Sequence, residues 1–181
     1  TFEMFLVAVL GWQTQVFLLA TDYSAGKEHV RRAGLKKASV LMSPAGAGFN
    51  PGHEHVRLAE LARQGLESGR SIMKSADLRR MLSEKFEDPM LGIYGAHLLL
   101  RAPRPDHTLL DIVAGNLTGM VGPHPDVLAL KIRKREKSIK LPAISFPSPP
   151  MLQNSWRLIV RRSFERVATV PPGSPAERFA D

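Results

Sequence analysis

Apolar and polar residues follow two different periods in this chain, and the change comes near residue 50. Before it the pattern is that of strands, rich in Val, Phe and Leu, and "QTQVF" (13–17) alternates. Residues 2–10 and 13–20 predict two strands around a turn at Gly11-Trp12, and "ASVLMSP" (38–44) predicts a third, stopped by Pro44. The intervening "TDYSAGKEHVRRAG" (21–34) reads as loop with one helical turn. The Gly/Pro/Asn-rich "AGAGFNPG" (45–52) is the natural boundary between a β part and an α part.

From there the period is helical. "HEHVRLAELARQGLES" (53–68) places Leu58, Leu61, Ala62 and Gly65 on one face with charges opposite. "SADLRRMLSEKF" (75–86) has Ser75 as N-cap and a Leu78, Met81, Leu82 stripe. Asp88-Pro89 starts the next helix, since Asp caps and proline suits the first helical position, and Pro103 and Pro105 end it. Asp106 caps a helix over 107–121, with Leu109, Val113, Leu117 and Met120 inward and Gly122-Pro123 as its stop. A helix over 124–137 ends in basic residues, the proline-rich "LPAISFPSPP" (141–150) must be extended, and residues 149–170 hold a strongly amphipathic helix. On that last helix Leu152, Trp156, Ile159, Ser163 and Val167 predict the core face and arginines the other, while "PPGSPAERFAD" reads as a tail.

The expected fold is therefore α+β, mostly α: a small N-terminal antiparallel β element followed by a bundle or array of about six helices. The expected division is a β-rich element over 1–48 and a helical domain over 49–181, which can also be read as one continuous domain. The first strands are apolar on both faces, so burial under the helices or pairing with a second copy is expected.

The segment "KFEDPMLGIYGAHLLLRA" (85–102) stands out. Between Pro89 and Arg101 its apolar residues cover nearly the whole helical circumference, which belongs in the centre of a packed structure. Gly92, Gly95 and Ala96 form a small-residue notch, which predicts the close approach of another backbone. His97 sits among leucines, and its neighbours in sequence offer it neither nucleophile nor carboxylate, so a neutral core imidazole is the expected role.

Composition narrows the chemistry. The chain has 181 residues and no cysteine, which excludes disulfides, thiolate catalysis, Cys-based zinc sites and Fe–S clusters and favours a cytoplasmic setting. It opens at Thr1 directly into an apolar run, which reads as a piece of something longer. That run lacks the basic start of a signal peptide and carries Glu3; continued to residue 20 it contains Gln13, Thr14 and Gln15, so no membrane span is expected. The net charge of +8 is local: "KIRKREKSIK" (131–140) supplies +5 of it through Lys131, Arg133, Lys134, Arg135, Lys137 and Lys140 against one acid. These six residues are the candidate patch for phosphate groups of nucleic acid, for a nucleotide or for an acidic partner surface, joined in the nucleic-acid reading by Arg161 and Arg162. A solvated helix end is the plainer reading, and aromatic residues for base stacking are missing.

Catalytic and metal motifs are weak. His53 and His55 at i, i+2 can share a metal from a strand but point apart on a helix, and Arg57 stands where the zincin pattern needs histidine. No phosphate loop and no nucleophile elbow occur, and His124-Pro125-Asp126 reads as a helix start. No cofactor is expected.

Several stretches together, "LRRMLSEKFEDPMLGIYGAHLLL", "NLTGMVGPHPDVLAL", "PPMLQNSWRLIV" and "VPPGSPAERFA", resemble a helical accessory region of bacterial multidomain proteins. In those it follows a caspase-like or trypsin-like peptidase or another effector domain. The resemblance covers about residues 75–180 and implies a non-catalytic regulatory or protein-interaction module of a signalling or defence effector, with a protein partner or adjoining domain. It transfers no site residue. The alternatives are a helical nucleic-acid-binding domain using 131–140, and an enzyme built on His53, His55, His97 or His107.

Overall fold

The computed structural model describes residues 5–24, 31–48, 50–68, 73–133 and 142–180. Its first element is a hairpin. β1 (Trp12–Ser24) and β2 (Arg31–Pro44) pair antiparallel from Trp12 opposite Pro44 to Ser24 opposite Arg31, with one irregularity between Leu19 and Ala20. The expected small antiparallel β element is present, but its strands differ from the expected ones. Residues 5–9 form no strand, and Gly11, at φ 82°, turns the chain into β1. Most of 21–34, expected as loop, extends the two strands instead. The physical reason is cooperative pairing: once Val16 and Val40 are in register, the backbone ladder continues through residues that are not themselves apolar.

The helices follow as α1 (Glu54–Ser68), α2 (Ser75–Glu84), α3 (Pro89–Leu100), α4 (His107–Val121), α5 (Pro125–Ile132), α6 (Gln153–Phe164) and the short α7 (Pro175–Arg178). α3 is the centre: it packs against α1, α2, α4, α5 and β2, and every residue from Pro89 to His97 is buried. Its start is set by Asp88, whose Oδ1 accepts the N–H of Met90 at 2.9 Å, with Pro89 at the first helical position.

The glycines of α3 explain how neighbours come so close, though the neighbours are side chains and not the expected backbone. A Cβ at Gly92 would lie 2.6 Å from Lys85 Cβ and 3.0 Å from Leu117 Cδ2; one at Gly95 would lie 2.9 Å from Leu82 Cδ2. α2 and α4 therefore sit in notches that alanine would fill.

Hairpin and helices share one core. Val40, Leu41 and Met42 of β2 pack in the same cluster as Leu58, Met81, Met90, Leu91, Leu117 and Leu130. Two polar ties fasten the strand to α3. Tyr94 Oη donates to Val40 O at 3.1 Å and accepts from Val40 N at 3.3 Å, and Asp88 Oδ1 also accepts from Met42 N at 3.1 Å.

A second, smaller cluster joins α5, α6 and two short strands: Ala129, Ile132, Phe146, Ile159, Val167 and Ala168. β3 (Ile144–Ser145), inside the proline-rich connector, pairs parallel with β4 (Ala168–Thr169). The C-terminal stretch expected as a tail is docked. Ser174 caps α7 and the N–H of Ala176 donates to Pro147 O at 3.1 Å, which satisfies a backbone acceptor that the prolines leave unpaired. Boundaries also move: Ser75 is the first residue of α2 and not its N-cap, α2 ends at Glu84, α5 ends at Ile132, and α6 runs from Gln153 to Phe164 in place of the expected 149–170. Among the described residues no helix is long and apolar enough to cross a membrane.

Candidate functional site

Three places in the fold gather chemistry. The first is His97. Its Nε2 lies 2.8 Å from Ser155 Oγ on α6, so the imidazole has the hydroxyl partner that its sequence neighbours did not provide; the two residues are 58 positions apart. Both are buried, Ser155 at 0% and His97 at 2% exposure. Burial pushes the His97 pKa down to about 4, against the smaller upward pull of Asp126. Serine, histidine and aspartate match a nucleophilic triad in residue type, but among the described residues no hydrogen bond joins His97 to Asp126. The Asp126 oxygens accept the backbone N–H groups of Met151 at 2.9 Å and Leu152 at 3.0 Å. Five surface cavities, of about 240 to 470 Å³, have neither His97 nor Ser155 in their linings. The pair thus fastens α6 to α3, and the Asp126 carboxylate fastens the start of α6 to α5.

His124 belongs to the same buried group. Its Nδ1 accepts the Asp126 N–H at 3.3 Å, as expected for a helix start, and its Nε2 is buried with no hydrogen-bond partner among the described residues. Burial holds its pKa below the ordinary histidine value.

The second place is a cavity of about 340 Å³ between the base of the hairpin, the 45–52 loop and the start of α1, lined by His53, His55, Asp88 and Glu87 among others. The two imidazole rings meet edge to face at 4.2 Å, and His55 Nε2 lies 3.0 Å from Glu84 Oε2. Burial, and then the neighbouring His53, lower the His55 pKa. Burial pushes Asp88 up to about 7 despite the backbone donors at Met42 and Met90. Among the described residues no three His, Asp or Glu side chains could hold a metal ion.

The third place is the outer face of α6, where the sequence pattern predicts arginines. The buried row is Ser155 and Ile159, so Trp156 is only partly covered, and Val160 and Phe164 are exposed at 40% and 84%. Trp156, Val160 and Phe164 are spaced i, i+4, i+8 and form one row. With Gln153, Arg157 and Arg161 they line an open trough of about 470 Å³. A second trough of about 280 Å³ shares Gln153 and Trp156 and runs on over Pro150, Met151 and Phe179. The signal was in the sequence: Val160 and Phe164 are apolar residues outside the predicted core stripe.

The basic patch is only partly within the described residues. Lys131 is exposed at the end of α5. Arg133 turns inward, its side chain 3% exposed, pairing with Asp111 and donating to Leu130 O and to His107 O. Lys134, Arg135, Lys137 and Lys140 lie outside the described residues. On α6, Arg161 is exposed, whereas Arg162 pairs with Glu165 and donates to Arg133 O. His107 stands exposed at the first turn of α4.

Comparison with protein-family models, curated proteins and solved structures finds no match to this chain.

Proposed function

We propose that the chain is a non-catalytic protein-interaction or regulatory module, cytoplasmic and part of a larger bacterial signalling or defence effector, as its resemblance implies. The observation that carries the reading is the exposed row Trp156, Val160, Phe164 above a trough on α6. Large apolar side chains aligned on one exposed face mark a binding surface more often than chance scatter does. The buried Ser155–His97 pair supports the same reading, because a reacting group needs a path for substrate and this one is enclosed by packed helices. The nucleic-acid reading has less behind it, since Arg133 is engaged with Asp111.

Photo-crosslinking tests the proposal. A photoreactive phenylalanine analogue at position 164 of the full-length protein, irradiated in its own cells, should give a discrete protein adduct that Val160→Glu removes. Failure to form any adduct, or a hydrolase activity of the chain that His97→Gln abolishes, would overturn it.

A further inference from the structure

We infer that the partner seated on α6 is an acidic amphipathic helix. The inference rests on the interaction reading above and adds the chemistry of the occupant. Two observations point to it. First, the surface is long and narrow: Gln153 to Phe164 spans roughly 17 Å at 1.5 Å per residue, and the second trough extends it past Trp156. The apolar row within it, Trp156 to Phe164, is roughly 12 Å long, which accommodates the i, i+4, i+7 anchors of a helix lying in a groove. Second, the cations beside the row are poorly neutralised within the chain. Arg157 bonds to the neutral Gln153, and Arg161 stays 3.9 Å from Glu165, whose other oxygen is engaged by Arg162. Carboxylates flanking the apolar face of a partner would meet these two guanidinium groups at the rim, where charge sets choice of partner and rate of encounter.

A second copy of the chain fits less well. Symmetric pairing through α6 would set Arg157 and Arg161 close to their own counterparts, and the chain carries a net charge of +8. An anionic membrane would also attract the arginines, but a flat bilayer makes no use of a trough between Trp156 and Phe164.

The test uses two synthetic helical peptides of about 18 residues, five turns. They have the same Leu/Ile face, flanked by Glu in one and Lys in the other. Binding to the full chain is followed by fluorescence anisotropy at about 50 and 300 mM salt, across which screening changes strongly. The contact site is mapped by backbone amide NMR shifts. The acidic peptide should bind on the order of tenfold more tightly than the basic one, shift the amides of α6, and weaken with salt. Arg157→Glu with Arg161→Glu should invert the preference, and Arg157→Lys with Arg161→Lys should keep it. Val160→Glu, with an unchanged melting temperature, should abolish binding of both peptides. Equal binding of the two peptides at α6 would overturn the acidic partner and leave the interaction surface standing. Absence of any shift on α6 would overturn both. Binding to phosphatidylserine vesicles without binding to the acidic peptide, or self-association lost on Val160→Glu, would replace the acidic helix with a membrane or a second copy.

Discussion

Ser155 Oγ stands 2.8 Å from His97 Nε2, and both residues are buried. A hydroxyl and an imidazole at that distance can be catalytic when a substrate can approach; enclosed, they are a polar rivet between two helices. The fold has a second such rivet. Asp126 on α5 accepts two backbone N–H groups from the turn that starts α6. Together the two fix the face that α6 turns inward, and so fix which face it turns out.

The Asp126 tie gives the first prediction. Asp126→Ala leaves the N–H groups of Met151 and Leu152 without acceptors, at about 1–3 kcal/mol each. Asp126→Asn keeps one acceptor oxygen and should lose about half as much. Urea denaturation of both variants checks the order; equal stabilities would show that the carboxylate does not hold the segment.

The glycines predict changes of opposite sign. Gly92→Ala should destabilise by about 1–3 kcal/mol, because the new methyl group meets Lys85 Cβ at 2.6 Å. Gly95→Ala should cost less, since the atom in the way is the end of the Leu82 side chain. Gly115→Ala and Gly119→Ala in α4 have nothing within 4 Å and should stabilise by up to about 1 kcal/mol through helix propensity. Thermal unfolding of the four variants should show two falls and two rises, and a rise for Gly92→Ala would contradict the notch.

Acid stability should depend in part on two groups pulling in opposite directions, beside His55 and His124, whose lowered pKa values act in the same direction as His97. The unfolded His97 takes up a proton below its ordinary 6.5, whereas the folded ring refuses it until about 4, so stability falls on acidification through that window. Asp88 does the reverse: unfolded it ionises above 3.8, folded it keeps its proton up to about 7, so stability rises on acidification from 7 towards 4. In the native chain the Asp88 trend opposes that of the histidines. Asp88→Asn should unmask the histidine, with a loss on the order of 2–3 kcal/mol between pH 6.5 and 4. Chemical denaturation across that range checks it; a variant with the same pH profile as the native chain would remove the account of Asp88.

Arg133→Gln should lower the melting temperature and leave any salt-dependent affinity for DNA unchanged, because this arginine supports α4 and α5 from inside. A selective loss of DNA binding with unchanged stability would restore Arg133 to a phosphate-binding role.

Most of the architecture was legible in the sequence because helix signals are local. Asp88-Pro89 and Asp106 announced two helix starts, and the apolar circumference of 89–101 announced its burial. What depends on residues far apart was not legible. The length of the hairpin comes from a ladder joining 12–24 to 31–44, the Ser155 partner of His97 from another helix, and the docked α7 from a contact with Pro147. The candidate surface was half legible. Its residues sit at helical spacing, but the expected continuation of α6 to 170 placed Trp156 in the core and left Val160 and Phe164 unremarked. The helix, closed by Arg166 at φ 59°, buries Ser155 and Ile159, and that leaves the row facing outward.

The imidazole at position 97 is buried, and the proposed non-catalytic reading stands or falls with that. Its reactivity towards diethyl pyrocarbonate in the native chain, site by site, tests this most directly. Exposed His53 and His107 should modify readily while His97 remains unmodified until the protein unfolds. Rapid modification of His97 at neutral pH in the folded protein would place that ring in an open cleft and contradict the account.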